Sequence, residues 1–287
     1  MISIVCVFND WSVLEGWLLK SLNRQTAPYE LHLVDNTDNA RFTSASEALN
    51  HGAKNATGDY IMFVHQDVYL ISPDWLETVE ETLKTLPNLG VAGPAGKLKK
   101  GLYSYSNSEH TPIPRPACRQ TLTEPMVVQT LDEMLAIMPR ESFQKHRFNE
   151  MLCPDWHMYV VEYCLMIKRE TGLDTYVFPK PIYHWVGMPK PLGLPEGYYR
   201  TLRLVLPNFK EHRHIATTCG DWSPRLPISW QRWRGWGIIW KLRPFIHGGN
   251  QFARALAFLT ATEPGLMLTK RIVLEVNADR FLSLIHI

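Results

Sequence analysis

The sequence predicts an α/β fold, with a mostly parallel, Rossmann-like sheet that carries helices on both faces. Three observations support this prediction. The apolar, β-branched run at 2–8 is typical of a strand buried on both faces. Strand-like and helix-like segments alternate through the first part of the chain. Each predicted strand ends on polar side chains, and because ligands of such sheets bind beyond the carboxyl ends of the strands, these ends predict a binding site.

The composition is that of a globular protein from a reducing compartment. Hydrophobic residues make up 45% of the 287 residues and charged residues 20%, which excludes a disordered chain. The five scattered cysteines form no C-x-x-C pair, so neither a zinc ribbon nor a disulfide framework is predicted. No apolar run approaches the ~20 residues that span a bilayer, and no secretory signal opens the chain. We therefore expect a cytoplasmic protein.

The first predicted helix follows the strand at 2–8 and extends to about Arg24. Ser12 and Glu15 have the spacing of a capping box, in which each side chain binds the other residue's backbone N–H at the start of a helix. The apolar residues behind them recur every three or four positions, as on the buried face of an amphipathic helix. A second strand is predicted at 30–36.

Two further helices flank a third predicted strand at 60–67. Ser44 and Glu47 have the spacing of a second capping box, which predicts that Ser44 is the N-cap of the first of these helices, and Gly58 is predicted to end it. Ser72 and Pro73 predict the start of the other helix, because serine caps helices and proline favours the first helical position.

The middle of the chain is less regular. Residues 104–125 are rich in proline and predict a loop that can cover a substrate. Strand material at 126–143 is followed by a predicted helix at 155–172, which Gly172 ends. A last strand is predicted at 174–185.

Two carboxylates and a histidine at strand ends suit a nucleotide and a metal. Asp67 ends the third strand, where its carboxylate can hold Mg²⁺ or Mn²⁺, although a carboxylate that only caps the next turn has the same pattern. Asp35 ends the second strand and can accept hydrogen bonds from a base or a ribose. His184 ends a later strand, where its imidazole can complete a metal shell, but an ordinary structural histidine is the alternative.

Several short motifs in a fixed order give the sequence a family resemblance. They are ELHLVDNTD at 30–38, NHGAKNATGDY at 50–60, HQD at 65–67 and, much later, PIYHW at 181–185. In this order they resemble a family 2-type glycosyltransferase with the GT-A fold, in a sub-group that has H-Q-D in place of D-x-D. The resemblance covers about three-quarters of the chain.

The resemblance implies a metal-dependent glycosyltransferase that uses a nucleotide-sugar, most commonly a UDP-sugar. Asp67 and His184 would hold Mn²⁺ or Mg²⁺, with one carboxylate contact fewer than in D-x-D because His65 replaces the first aspartate. The implied nucleotide-sugar site consists of Phe8, Asn9, Asp35, Asn50, His65 and Gln66.

The sequence leaves two acidic residues as candidates for the catalytic base. If the reaction inverts the anomeric centre, a base must take the proton of the acceptor hydroxyl. Asp155, Tyr159 and Glu162 would share one helix face, and the family's usual base position falls on Val160, which cannot serve. The base is therefore Asp155 or Glu162, and Asp155 is favoured because a loop-to-helix position can point into a cleft, although it also suits an N-cap. His157 and Tyr159 are predicted to contact the acceptor.

Charge divides the chain into two parts. Residues 1–188 carry a net charge of −6, and residues 189–287 carry +8. We expect a GT-A catalytic domain at 1–188, with a nucleotide-binding half at 1–100 and an acceptor half at 101–188. A helical, Trp/Arg-rich extension is predicted at 189–287.

The extension contains a stripe of aromatic and basic residues. Trp230, Trp233, Arg234 and Trp240 recur at near-helical spacing, which suits a bilayer interface. A helix that packs its tryptophans on the catalytic domain would have the same pattern, so both interpretations stay open. Contact with a membrane would place the protein peripherally at the inner face and agrees with a lipid-linked acceptor.

The predicted function is transfer of a sugar from a nucleotide-sugar to a glycan or lipid-linked glycan, and no nucleic acid is expected as a partner. A sugar-phosphate nucleotidyltransferase is one alternative, but the segment FNDWSVLEG at 8–16 lacks the glycine-rich, basic loop that such an enzyme usually carries after the first strand. A non-catalytic binding or scaffold protein is the other, because His65 and Val160 depart from the family pattern.

Overall fold

The computed structural model describes residues 1–99, 103–112, 115–118, 120–186, 194–229 and 231. The chain clusters into two compact units, Met1–Arg225 and Leu226–Ile287. The first unit extends beyond residue 188, the predicted end of the catalytic domain, and an ion pair of 2.7 Å between Lys97 and Asp221 ties its last strand to its middle. The assignment of separate functions to the two sides of residue 188 stays a prediction.

The strands and helices of the described residues alternate in the first half of the first unit. The strands are β1 Ile2–Phe8, β2 Tyr29–Asp35, β3 Tyr60–Val64, β4 Val68–Leu70, β5 Leu89–Gly93, β6 Ala95–Lys97, β7 Ser104–Ser106, β8 Glu109–Thr111, β9 Arg115–Pro116, β10 Met126–Val128, β11 Thr130–Leu131, β12 Leu135–Pro139, β13 Asp174–Val177, β14 Ile182–Trp185, β15 Ile215–Thr217 and β16 Gly220–Trp222. The helices are α1 (Trp11–Leu14, a π-helical part Glu15–Leu19, and Lys20–Leu22), α2 Ala45–Gly52, α3 Trp75–Thr85, α4 Arg140–Lys145, α5 Tyr159–Thr171 and α6 Glu196–Val205. Short 3₁₀ turns at Ala53–Asn55 and Leu206–Phe209 follow α2 and α6.

The central sheet has seven strands in the order β10-β13-β5-β12-β3-β1-β2. β1 pairs in parallel with β2 and β3, and β13 pairs in parallel with β5. β12 is antiparallel to both β3 and β5, and β10 is antiparallel to β13. Five of the seven strands therefore share one direction, which confirms the predicted α/β fold with a mostly parallel sheet.

Helices cover both faces of this sheet. Successive side chains of β1 point to opposite faces, as in any strand. On one face, Ile4 packs into an apolar cluster with Leu18 of α1 and Trp75 of α3. On the other face, α2 lies so close that a Cβ added to Gly52 would lie 2.6 Å from Cγ1 of Val5. Burial on both faces explains why β1 reads as an uninterrupted apolar run.

The residues that were predicted to contact a membrane lie outside the described part of the chain. They are Trp230, Trp233, Arg234 and Trp240. No helix in the described ranges combines the length and the apolar character needed to cross a bilayer. The predicted helical extension likewise falls almost entirely outside the described residues.

The first helix begins differently from the prediction. Oδ1 of Asp10 accepts the backbone N–H groups of Ser12 and Val13 at 2.9 and 3.2 Å, so Asp10 is the N-cap. The predicted capping box of Ser12 and Glu15 is therefore wrong. Aspartate, one residue before the helix, satisfies the same unpaired N–H groups that the serine was expected to satisfy.

The start of α2 is as predicted, and its end is not. Oγ of Ser44 accepts the backbone N–H of Glu47 at 3.2 Å, which confirms the N-cap. The helix ends at Gly52, and the 3₁₀ turn that follows ends at Asn55, so Gly58 does not terminate it.

Two other helices begin later than predicted. α3 begins at Trp75 rather than directly after Ser72, and α5 begins at Tyr159 rather than near residue 155. Met158, which precedes α5, has φ 71°, a left-handed conformation that separates the preceding loop from the helix. Gly172 ends α5 in the left-handed conformation with φ 76°, as predicted.

Gly58 is required for a close backbone approach. A Cβ at this position would lie 2.7 Å from the carbonyl oxygen of Met1 and 2.8 Å from the backbone nitrogen and Oγ of Ser3. The N–H of Gly58 donates to Oγ of Ser3 at 2.8 Å, which holds the start of β1 beside the start of β3.

We predict that Gly58→Ala lowers the free energy of unfolding by about 1–3 kcal/mol, because the added methyl group meets backbone atoms that cannot move without disturbing β1. Gly16→Ala is the matched control, since a Cβ at this helical position meets nothing within 4 Å. The control is expected to be neutral or stabilising by up to about 1 kcal/mol. Urea denaturation followed by circular dichroism measures both effects, and equal stabilities for the two variants would contradict the prediction.

Candidate functional site

The carboxyl ends of β1, β2 and β3 form one edge of the sheet. Phe8 lies opposite Asp35 in the parallel β1–β2 register, and the N–H of Asn36 donates to the carbonyl oxygen of Phe8 at 2.8 Å. The amide of Gln66 bridges to the end of β1, donating to Oδ1 of Asn9 at 2.7 Å and accepting the Asn9 N–H at 3.0 Å. The structure therefore brings four of the predicted nucleotide-site residues to the same edge.

Asp35 is the exposed carboxylate of this edge. Its Oδ1 accepts the N–H and the hydroxyl of Thr37 at 2.9 and 2.6 Å, and these hydrogen bonds lower the pKa of Asp35. The carboxylate is thus ionised and can accept hydrogen bonds from a ligand. Phe8 itself is buried and lies 5.6 Å from the ring of Trp11, so the exposed aromatic surface here belongs to Trp11, which is 52% exposed.

Backbone pairing places His184 beside Asp67. Asp67 follows β3 and directly precedes β4, and the antiparallel β4–β14 ladder pairs His184 with Val68. The N–H of Trp185 donates to the carbonyl oxygen of Asp67 at 2.9 Å. As a result, Nε2 of His184 lies 3.4 Å from Oδ1 of Asp67.

His65 completes a group that can hold a metal ion. Nδ1 of His65 lies 4.0 Å from Oδ1 of Asp67, and one ligand atom from each of His65, Asp67 and His184 lies within 4.8 Å of the others. Ligand atoms bound at about 2.1 Å to one cation lie about 3–4 Å apart, so these three side chains fit a common ion after small rotations. The sequence assigned His65 to the nucleotide-sugar, and the structure also brings it to the metal group.

The electrostatics of Asp67 favour a cation. Its Oδ1 is buried and lies 3.4 Å from Nε2 of His184 and 4.0 Å from Nδ1 of His65. Burial raises the pKa of Asp67, but the imidazoles of His184 and His65 lower the pKa by more, so it lies below its ordinary value. A buried, ionised carboxylate oxygen between two imidazoles is stabilised when a cation binds it, and this supports a metal site.

A further histidine, His110, lies next to the metal group. β8 pairs in parallel with β14, and this register places His110 opposite His184 with ring centroids 5.4 Å apart. Burial and the nearby His184 lower the pKa of His110 to about 4, so its ring is neutral at physiological pH. The sequence did not indicate His110, because it lies on a three-residue strand inside a proline-rich segment that has no strand periodicity.

Tyr159 connects the metal group with a second group of titratable side chains. Its hydroxyl lies 3.2 Å from Nε2 of His65 and donates to the carbonyl oxygen of Glu133 at 3.2 Å. The carboxylate of Glu133 in turn lies 3.8 Å from Nδ1 of His157. Tyr159 and His157 were predicted to contact an acceptor, and the structure places both within one network that begins at His65.

Asp155 lines a cavity of about 410 Å³ together with His157, Gly197, Arg200 and Arg203. The guanidinium of Arg200 donates to Oδ2 of Asp155, and the backbone N–H of Trp156 donates to Oδ1 at 2.8 Å. The side chain of Asp155 is 11% exposed, and its carboxylate lies against the first turn of α6. Asp155 is therefore at a cavity, as predicted, but both of its oxygens already accept hydrogen bonds.

Two predicted site residues, Asn50 and Glu162, are buried. The side-chain amide of Asn50 donates to the carbonyl oxygen of Phe148 and to Glu150 at 2.9 and 2.8 Å, and it accepts the N–H of Phe148. Asn50 thus connects α2 to the segment before α5, and its predicted role at the nucleotide stays a prediction. Glu162 is only 1% exposed in the first turn of α5 and does not line the cavity beside Asp155. Its predicted role as a base has no support from this position.

Comparison with known proteins identifies the fold. Residues 40–147 match the family model for glycosyl transferase family 2. TarS residues 1–349 of S. aureus, in complex with UDP-GlcNAc, align with a TM-score of 0.51 and 15% identity over 71% of this chain and 65% of that chain. GalNAc-T7 with UDP, GalNAc and Mn²⁺ aligns with a TM-score of 0.51 and 15% identity over 71% of this chain and 47% of that chain.

The architecture shared with these structures confirms the predicted GT-A fold. This chain spans less than two thirds of the length of either matching structure. No curated protein matches it in sequence. The predicted sub-group with H-Q-D in place of D-x-D stays a prediction.

We predict that Glu162→Gln stabilises the protein above pH 7 and leaves its stability nearly unchanged below pH 4.5. Burial raises the pKa of Glu162 to about 7, whereas the unfolded carboxyl titrates near 4.5. The folded state therefore holds the proton more tightly, and stability falls as pH rises through this window. The full penalty at high pH is roughly 3 kcal/mol, which the glutamine variant avoids.

Urea denaturation at pH 4 and pH 8 measures the difference between Glu162→Gln and the wild type. Glu170→Gln is the matched control, because this carboxylate is 44% exposed on the same helix. A Glu162→Gln effect of equal size at both pH values would show that folding does not raise the pKa of the Glu162 carboxyl.

Proposed function

We propose that the protein transfers a sugar from a nucleotide-sugar, preferably a UDP-sugar, to a hydroxyl of a glycan or lipid-linked glycan, with inversion and with the help of a divalent metal. The observation that carries the proposal is the group of His65, Asp67 and His184 at the carboxyl edge of a GT-A sheet. Such an edge is where α/β sheets bind their ligands.

The metal would be held by Asp67 and His184, with His65 as a third ligand. When bound, a divalent ion neutralises the charge that develops on the departing diphosphate. Two imidazoles and one carboxylate favour a transition metal over Mg²⁺, because Mg²⁺ prefers oxygen ligands. Of the two predicted ions, we therefore favour Mn²⁺, the ion present in the GalNAc-T7 structure.

The nucleoside would lie along the ends of β1 and β2. Asp35 is ionised and exposed there, and Trp11 offers an exposed ring in the next turn of the chain. Gln66 and Asn9 are already joined by hydrogen bonds, so their side chains are held in fixed positions where they would contact the donor. The UDP-GlcNAc bound to TarS supports the choice of a UDP-sugar as the first donor to test.

The acceptor would enter the cavity lined by His157 and Asp155. In the wall of this cavity Arg200 pairs with Asp155 and Arg203 pairs with Glu196, so the formal charges of these side chains balance. The proposal includes a cytoplasmic location with peripheral contact at the inner face of a membrane. Its only ground is the proposed lipid-linked acceptor, which would lie in that membrane.

We predict that UDP raises the melting temperature of the wild type only when Mn²⁺ is present. A nucleotide at a hundredfold excess over its Kd adds about 2.7 kcal/mol to the free energy of unfolding, which raises the melting temperature by about 5–10 °C for a unit of this size. Asp67→Asn is expected to lose most of this shift, because it removes the one carboxylate of the metal group.

Thermal shift with UDP, GDP, CDP and dTDP, each with and without Mn²⁺, checks the prediction. Glu81→Gln is the matched control, since it also removes one negative charge but lies exposed on α3. Absence of a shift with every nucleotide would overturn the donor assignment. Binding without any release of UDP from UDP-sugars would favour the non-catalytic binding protein.

A further inference from the structure

We infer that His157 is the base that takes the proton of the acceptor hydroxyl and that Glu133 positions it. The inference rests on the proposed transferase function and names the residues that serve its acceptor side. The sequence alone predicted a different base, either Asp155 or Glu162.

His157 has the position that a base requires. Its side chain is 33% exposed and lines the cavity of about 410 Å³, so that an acceptor can reach it. Nδ1 faces the carboxylate of Glu133 at 3.8 Å, a distance that can shorten when substrate binds. An N–H on Nδ1 that points to Glu133 leaves the lone pair on Nε2, the nitrogen on the opposite side of the ring.

Glu133 can hold the imidazole of His157 in that orientation because its own side chain and backbone are fixed in place. Its side chain is only 17% exposed, and Oε1 is buried without a hydrogen-bond partner among the described residues. The backbone around it is fixed, because its carbonyl oxygen accepts the hydroxyl of Tyr159 and the next carbonyl, that of Met134, accepts the N–H of His65 at 3.0 Å. The same segment thus connects the metal group to His157.

Asp155 is less suited to this step. Oδ1 accepts the N–H of Trp156, and Oδ2 accepts the guanidinium of Arg200. A Cβ added to Gly197 would lie 2.5 Å from both carboxylate oxygens, so α6 covers the group that would have to reach an acceptor. A carboxylate paired with arginine is also a weak base, because the positive charge stabilises its ionised form.

In the proposed step the acceptor oxygen bonds to the anomeric carbon of the donor. The bond from that carbon to the diphosphate oxygen breaks, and its electron pair leaves with the nucleoside diphosphate. The proton of the acceptor hydroxyl passes to Nε2 of His157, and solvent removes it after the products leave. Three groups face the imidazole of His157: the carboxylate of Glu133, the ring of Tyr198 and, across the cavity, the Asp155–Arg200 pair. The ring centroids of His157 and Tyr198 are 5.8 Å apart.

The test uses UDP-GlcNAc as donor, Mn²⁺ and water as acceptor, and it measures release of UDP. His157→Gln is expected to lower kcat by about 10²–10⁴-fold with little change in the KM for the donor. Glu133→Gln is expected to lower kcat by about tenfold, whereas Glu133→Asp retains more activity. The double variant should be no slower than His157→Gln alone, because Glu133 acts only through His157. Glu141→Gln, which removes an exposed carboxylate, is the matched control.

A second measurement does not depend on turnover. Long-range ¹H–¹⁵N spectra of histidine-labelled protein report which ring nitrogen carries the proton, and the signal missing in His157→Gln identifies His157. We expect the Nδ1–H tautomer in the wild type and a loss of that preference in Glu133→Gln. An unchanged tautomer would overturn the role of Glu133.

The outcomes separate the two proposals. If the wild type binds no nucleotide with Mn²⁺, the transferase function fails, and the base assignment fails with it. If the wild type binds UDP and hydrolyses the donor while His157→Gln is as fast as the wild type, only the base assignment fails. Loss of activity in Asp155→Asn together with full activity in His157→Gln would assign the base to Asp155 instead.

Discussion

The short antiparallel ladder between β4 and β14 is the contact on which the candidate site depends. It joins two segments that are more than a hundred residues apart in sequence, and the hydrogen bond from Trp185 to the carbonyl oxygen of Asp67 fixes their register. A shift by one residue would turn His184 to the other face of the strand. β8 pairs in parallel with β14, the second strand of this ladder, so the position of His110 depends on the position of β14 as well.

The direction of β12 decides what lies opposite the metal group. Because β12 is antiparallel to β3, its amino end lies at the edge where the parallel strands have their carboxyl ends. Glu133 lies two residues before this strand and therefore reaches the site. In the proposed site this edge thus carries the candidate metal group, with Asp67 and the two imidazoles, and the proposed acceptor side, with Glu133 and His157, and Tyr159 lies between them.

The left-handed residue Met158 explains why three residues predicted to share one helical face do not share it. The helix starts at Tyr159, so Asp155 lies in the preceding loop and is free to pair with Arg200 of α6. Glu162, in the first turn of α5, is buried instead of facing the cavity. A prediction from periodicity assumes that one helix continues through all three residues. The left-handed conformation of Met158 interrupts the helical backbone between Asp155 and Tyr159.

The sequence by itself determined the alternation of strands and helices, the apolar character of the doubly buried strands and the polar strand ends at Asp35 and Asp67, because these follow from local patterns of hydrophobicity and capping. It also indicated His184 through a motif of the family. Tertiary structure alone decided that His65 approaches Asp67, that His110 lies beside His184, that the amide of Asn50 binds Phe148 and Glu150, and that Glu133 meets His157. These contacts depend on strand register and direction, and no local pattern encodes the pairing of segments that are far apart in the chain.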